Sequence, residues 1–218
     1  MSASIHPTAV VLPYVVLAED VRIEAFAIIG RPYRTIVGQP QDLHSETKVG
    51  RCCQIGSFVV IGIGTRIGDD CIVEDGCQVE TDVVVGNKSH LLYSARVCNE
   101  SRIGDGCIIG GFVCERAVIE DYCRVFGQLI HQQLDPTSEW DATEEKSPVL
   151  RESSFVGFGA KVIGPVTIGP SAYVCAGAIV TKNVPRGCIA FGVNRICDHS
   201  QWRGRLAQSP FFSASGND

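Results

Sequence analysis

Five histidines are the side chains of this sequence best suited to moving a proton: His6, His44, His90, His131 and His199. An unperturbed imidazole titrates near pH 6.5, so it accepts a proton readily at neutral pH. His131 stands first. It falls where a regular aliphatic pattern gives way to an acidic segment, and it takes a place that the pattern would give to an inward aliphatic residue. Just beyond it lie Asp135, Glu139, Asp141, Glu144 and Glu145. Asp135 or Glu139 can orient the imidazole or hold an ammonium group, and Trp140 between the acids offers an aromatic face. His90 immediately precedes an inward Leu91, which predicts that it points outward, where it can meet a neighbouring subunit or a bound molecule. His44 sits in a polar stretch, and His6 and His199 lie near the ends.

The pattern that places these residues has a period of six. From Val49 the hits are Val49, Ile55, Ile61, Ile67, Val73, Val79, Val85, Leu91, Val97, Ile103 and Ile109, often followed by glycine. Six fits neither a helix nor a hairpin strand. It marks a chain wound into a solenoid, with three hexads to a coil of about 18 residues and three short strands per coil. The aliphatic points inward, and glycine follows where backbone space is tight or φ is positive. The repeat begins at Ile5, breaks over residues 31–48, runs to Ile109 and slips by four to Val113, Ile119 and Val125. A second break spans 131–151, and the repeat resumes from Val156 to Val180. About seven coils are expected. The β-helix unit is thus residues 1–184 with two protruding loops. Residues 185–218 form a tail, in which Asp198–Ala207 is predicted as one short helix and the final stretch as frayed.

Composition agrees. Hydrophobic residues make up 45% but aromatics only 7%, as a narrow aliphatic interior requires. A net charge of −5 argues against nucleic-acid binding, which calls for a basic face. No apolar run approaches the roughly 18 residues of a membrane span, and no leader pattern opens the chain, so a cytoplasmic location is expected. Cysteine numbers 11, yet Cys53, Cys71, Cys77, Cys107 and Cys123 each stand two places before a periodic aliphatic, a slot filled elsewhere by Val, Thr, Ser or Ala. They read as small inward fillers, and no zinc-ligand spacing is present.

Residues 154–196, SFVGFGAKVIGPVTIGPSAYVCAGAIVTKNVPRGCIAFGVNRI, resemble the closing block of the hexapeptide-repeat acyltransferases. Cys175-Ala176-Gly177 stands for the family's turn and Ile179–Pro185 for its signature, while Gly192–Ile196 lacks the family's Pro-Ala step. The resemblance implies an all-β, left-handed parallel β-helix. Ile29-Gly30-Arg31-Pro32 before the first loop, and the acidic loop with Trp140, are similar to sugar-nucleotide N-acetyltransferases. A homotrimer with its site between subunits is implied, together with acetyl-CoA as cosubstrate, no metal, and an amino sugar or sugar nucleotide as acceptor. On this resemblance His131 is the general base, with Asp135 and Glu139 beside it, and Trp140 and His90 meet the acceptor. The CoA arm lies on Gly159, Ala160, Ala176 and Gly177, with Lys182, Arg186 and Arg195 as cations. A non-catalytic β-helix scaffold is the alternative from the solenoid alone. A γ-class carbonic anhydrase needs two histidines five apart, which the sequence lacks. On the length, neither an N-terminal nucleotidyltransferase unit nor a helical serine-acetyltransferase domain is expected.

Overall fold

The computed structural model describes residues 3–32, 45–132, 137 and 146–213. Three parallel sheets of 11, 9 and 8 strands, called faces A, B and C below, form the sides of a left-handed parallel β-helix of about nine turns. The chain passes from A to B to C, then steps one coil along. Strands are mostly two residues long, one side chain out and one in. The inward column of face A reads Ile23, Ile55, Val73, Leu91, Ile109, Val125, Val156 and Val174, each all but fully buried. Burying such a side chain is worth roughly 1.5–3 kcal/mol, and stacked coils bury them in one continuous column.

The turn chemistry is sharper than the sequence suggested. The glycine after the inward aliphatic answers close approach. A Cβ on Gly86 would lie 2.5 Å from the carbonyl carbon of Gly104 on the next coil. The left-handed position comes two residues later and accepts many side chains, including Asp20, Phe58, Lys88 and Tyr122, with φ between 56° and 60°. At the corner between faces C and A an Asx ladder ties successive turns. The amides of Arg51, Asp69, Asn87 and Asp105 donate to the side-chain oxygens of Asp69, Asn87, Asp105 and Asp121, at 2.7, 2.9, 2.7 and 2.8 Å.

The cysteines are interior, as expected. Cys53, Cys71, Cys107 and Cys123 donate to turn carbonyls of the next coil at 3.0–3.2 Å, and Ser89 does the same for Gly104 at 2.9 Å. Burial pushes the Cys77 thiol up to about 11 and that of Cys107 up to about 12, so both stay protonated at neutral pH.

Several expectations are corrected. The coil count rises to about nine because Leu129 and Leu150, beside the second loop, are both inward and fully buried. The slip of four is a pair of short edges: face A passes to face B in four residues at Ile109–Val113 and again at Val125–Leu129, against six elsewhere. Gly111 permits this, since a Cβ there would lie 1.8 Å from the Gly127 carbonyl oxygen. The second short edge makes Leu129 the inward residue. His131 therefore sits past the end of strand Gln128–Ile130 and does not fill the inward place read for it. The second loop closes at Val149–Leu150, inside the 131–151 assigned to it.

Both loops leave from the B–C corner, five face-B strands apart, or roughly 24 Å. Cys188–Phe191 and Arg195–Asp198 form an antiparallel pair that ends face A. The single helix expected over Asp198–Ala207 is instead two 3-10 turns, His199–Gln201 and Arg205–Gln208, divided at Gly204 with φ 128°. The end of the chain is packed rather than frayed up to Phe212, which is buried, and Phe211 meets Phe155 and Tyr173 edge-on.

Candidate functional site

The predicted site residues divide among the corners of the prism. Gly159, Ala176 and Gly177 lie exposed on the A–B corner of successive coils. Both glycines occupy the left-handed turn position, at φ 67° and 69°, and a Cβ on either would meet nothing within 4 Å. Equivalent positions at the same corner carry Phe26 and Phe58, so φ alone does not call for glycine. The result is a bare backbone ridge. Gly192 lies beside the ridge, in the column of Ala160 and Ala178, because its carbonyl accepts the Ile179 amide at 2.7 Å as theirs accept the amides of Gln128 and Lys161. Arg195 joins it with its guanidinium 4.8 Å above the Phe191 ring. Ala160 does not belong to the ridge: it is fully buried and its carbonyl accepts the Gln128 amide at 2.8 Å.

Above the ridge the same corner is cut back over two coils by the short edges. Gly110 and Gly111 lie in this shortened stretch with Leu92 and Phe126 against Gly110, Gly127 is buried, and exposed Phe158 bounds it, stacked on Phe126 at 4.7 Å. Tyr93, also exposed, bounds the other end.

The remaining cations lie elsewhere. Lys182 follows strand Ile179–Val180 onto the B–C corner, and Arg186 follows Val184 onto the C–A corner. His131 shares the B–C corner with Lys182. Asp135, Glu139 and Trp140 lie outside the described residues. His90 is on face A, opposite the B–C corner, so within one chain it cannot serve a site with His131. Its Nε2 is 2.6 Å from Glu74 Oε1, while Glu74 Oε2 accepts the Tyr93 amide at 2.8 Å.

Glu74 was missed in the sequence, as was the hollow it borders. A cavity of about 300 Å³ opens on face A, lined by Arg22, Glu24, Gln54, Ile72, Glu74 and Tyr93 among others. The signal was available. Writing the chain in coils, with the first loop removed, stacks Arg22, Gln54, Ile72 and His90 in one outward column. Among the described residues no group of three His, Cys, Asp or Glu side chains is placed to hold a metal ion. No helix among them is long and apolar enough to cross a membrane.

Comparison with known proteins agrees with the winding. No family profile matches the chain. It is 27% identical over 180 residues to the bifunctional protein GlmU of Synechococcus elongatus, covering 77% of this chain and 39% of that one. It is 29% identical over 203 residues to the GlmU of Alkaliphilus oremlandii, covering 86% and 43%. The UDP-N-acetylglucosamine acyltransferase of Francisella novicida superposes with a TM-score of 0.63 at 16% identity, over 88% of this chain and 69% of that one. The chain is a member of the hexapeptide-repeat acyltransferase superfamily. It spans about two fifths of the length of the GlmU relatives, 39% and 43%. The Francisella likeness speaks to the fold alone, whose coils carry the ridge, the shortened stretch and the loop roots described above.

Proposed function

We propose that this superfamily member transfers an acetyl group from acetyl-CoA to the amine of an amino sugar, carried on a nucleotide, and does so as a homotrimer. The observation that carries the reading is the bare ridge of Gly159 and Gly177. A thin, flexible thioester arm needs a strip of backbone free of side chains, with amides and carbonyls to bond and a cation at one end. Arg195 supplies that cation. The choice of a sugar nucleotide rests on the sugar-nucleotide acyltransferases that resemble this chain, and the choice of its amine belongs to the proposal.

In this reading the neutral amine attacks and His131 takes its proton. The nitrogen adds to the thioester carbonyl, the C–S bond breaks, and the imidazolium returns the proton to the departing thiolate. A positioned base of this kind contributes about 10²–10⁴ in rate. A backbone N–H is the natural donor to the developing oxyanion. Ridge and base stand at opposite edges of face B. Five residues separate the two corners, about 16 Å at roughly 3.3 Å per residue. A site that uses both is therefore completed by a neighbouring copy, with Lys182 beside the base on the same corner.

The test is calorimetric titration of the protein with acetyl-CoA, followed by thiol release with a panel of amino-sugar nucleotides. Binding, and turnover lost in His131→Ala with the fold retained, is the expected result. No heat and no thermal shift with acetyl-CoA would overturn the reading in favour of a scaffold.

A further inference from the structure

The hollow on face A has the composition of a carbohydrate site. It exists because Gly56 separates Glu24 from Glu74 along one line of the coil, so two long acidic side chains flank a gap. Arg22 and Gln54 border it on the neighbouring column. Tyr93, 70% exposed, stands at its edge. Glu74 is already engaged, with one oxygen on His90 and the other on the Tyr93 amide. Among the described residues the side chains of Arg22, Glu24 and Gln54 make no hydrogen bond or ion pair. His90 turns Nε2 to Glu74. The volume, about 300 Å³, is at the lower end of ligand clefts, roughly 300–1,000 Å³.

We propose that this hollow binds a single amino-sugar ring. The carboxylate of Glu24 pairs with the ring's ammonium group. Arg22 donates to ring hydroxyls, the Gln54 amide donates to and accepts from them, and Tyr93 covers the apolar face. Planar polar side chains around one aromatic ring suit a polyol, whose hydroxyls both donate and accept. A free carboxylate beside them selects the amine over its acylated form. The site is distinct from the His131 corner. It rests on the function proposed above only in the choice of an amino sugar as ligand.

Glucosamine and N-acetylglucosamine, titrated in the absence of CoA and followed by saturation-transfer NMR, test it on the full chain. Glucosamine should bind, and Glu24→Gln should weaken it about tenfold or more while barely changing N-acetylglucosamine, as loss of one charged hydrogen bond implies. Tyr93→Ala should weaken both. Both side chains project from the surface, so the melting temperature of each variant should stay at the wild-type value. His131→Ala should bind as wild type does. If glucosamine fails to bind, or binds equally to wild type, Glu24→Gln and Tyr93→Ala, the proposal falls. If binding holds while acyl transfer fails, the hollow stands and the catalytic reading falls.

Discussion

Thr65→Val isolates the contribution of the interior hydroxyls and thiols. Thr65 is fully buried in the slot two places before inward Ile67. Its hydroxyl donates to the Glu80 carbonyl at 2.7 Å and accepts the Val83 amide at 3.3 Å. Neither backbone group has another protein partner among the described residues. Valine fits the slot sterically, since Val59 and Val83 already occupy equivalent places. The substitution therefore removes hydrogen bonds without changing shape, and Val for Thr is not a neutral exchange once the hydroxyl is bonded. Leaving buried groups unpaired costs about 1–3 kcal/mol each, of which about 2 kcal/mol in total is a fair expectation, because Glu80 is only half-buried. For a chain of this size that lowers the melting temperature by roughly 4–8 °C. The reciprocal change, Val83→Thr, offers a hydroxyl at the same offset to the Cys98 carbonyl and should cost less than Thr65→Val. Thermal melting by circular dichroism with urea titration measures both. A Thr65→Val protein melting within about 1 °C of wild type, or a Val83→Thr as damaging, would refute the role given to this slot.

Two further outcomes are expected. Burial holds the thiols of Cys77, Cys114 and Cys123 up at about 11 and those of Cys98 and Cys107 at about 12. An unfolded thiol ionises near 8.5, so the native state keeps protons that the unfolded chain loses. Stability should be full below about pH 8.5 and fall as pH rises towards the native values; urea midpoints from pH 7 to 10 check this, and a flat profile contradicts it. Mixing His131→Ala with Gly177→Phe, each inactive alone, should restore about a quarter of wild-type activity if base and ridge come from neighbouring copies of a trimer. No recovery after refolding the mixture would place both in one chain.

The winding was legible because its cause is local and repeats. Each coil needs an aliphatic at the same place, and every coil votes for the same register. What escaped the sequence is where that register is broken by geometry rather than by composition. The four-residue edges at Gly110–Gly111 and Phe126–Gly127 look like a slip in a list of aliphatics. In space they shift the inward place onto Leu129 and move His131 to the root of a loop. Leu150 was lost for the same reason, hidden inside a segment that reads as polar. At the site, the glycines at 159 and 177 were picked out by resemblance, and their corner gives them a reason. Ala160, one residue on, belongs to the interior. The resemblance makes both Lys182 and Arg186 cations for the CoA arm, yet Lys182 follows face B onto the B–C corner and Arg186 follows face C onto the C–A corner. Glu74 was invisible for the converse reason: its partner lies 16 residues away, close only after a full coil.

A prism of stacked coils presents flat faces and convex corners, so any concavity must be made by departing from the repeat. This chain departs in several ways that need no new fold. Two short edges cut back the A–B corner, and glycine tolerates the coil contact that results. Gly56 between Glu24 and Glu74 hollows face A. Two loops rise from the B–C corner, at its second and seventh strands. The first two departures share a corner with the bare ridge, and the third does not. The ridge and the loop roots lie at opposite edges of face B, whereas the hollow with His90 and Glu74 lies on the same side of one chain as the ridge. Which of these two arrangements carries the chemistry is decided by the histidine that matters: loss of turnover in His131→Ala assigns it to the junction between copies, and loss in His90→Gln alone assigns it to face A of a single chain.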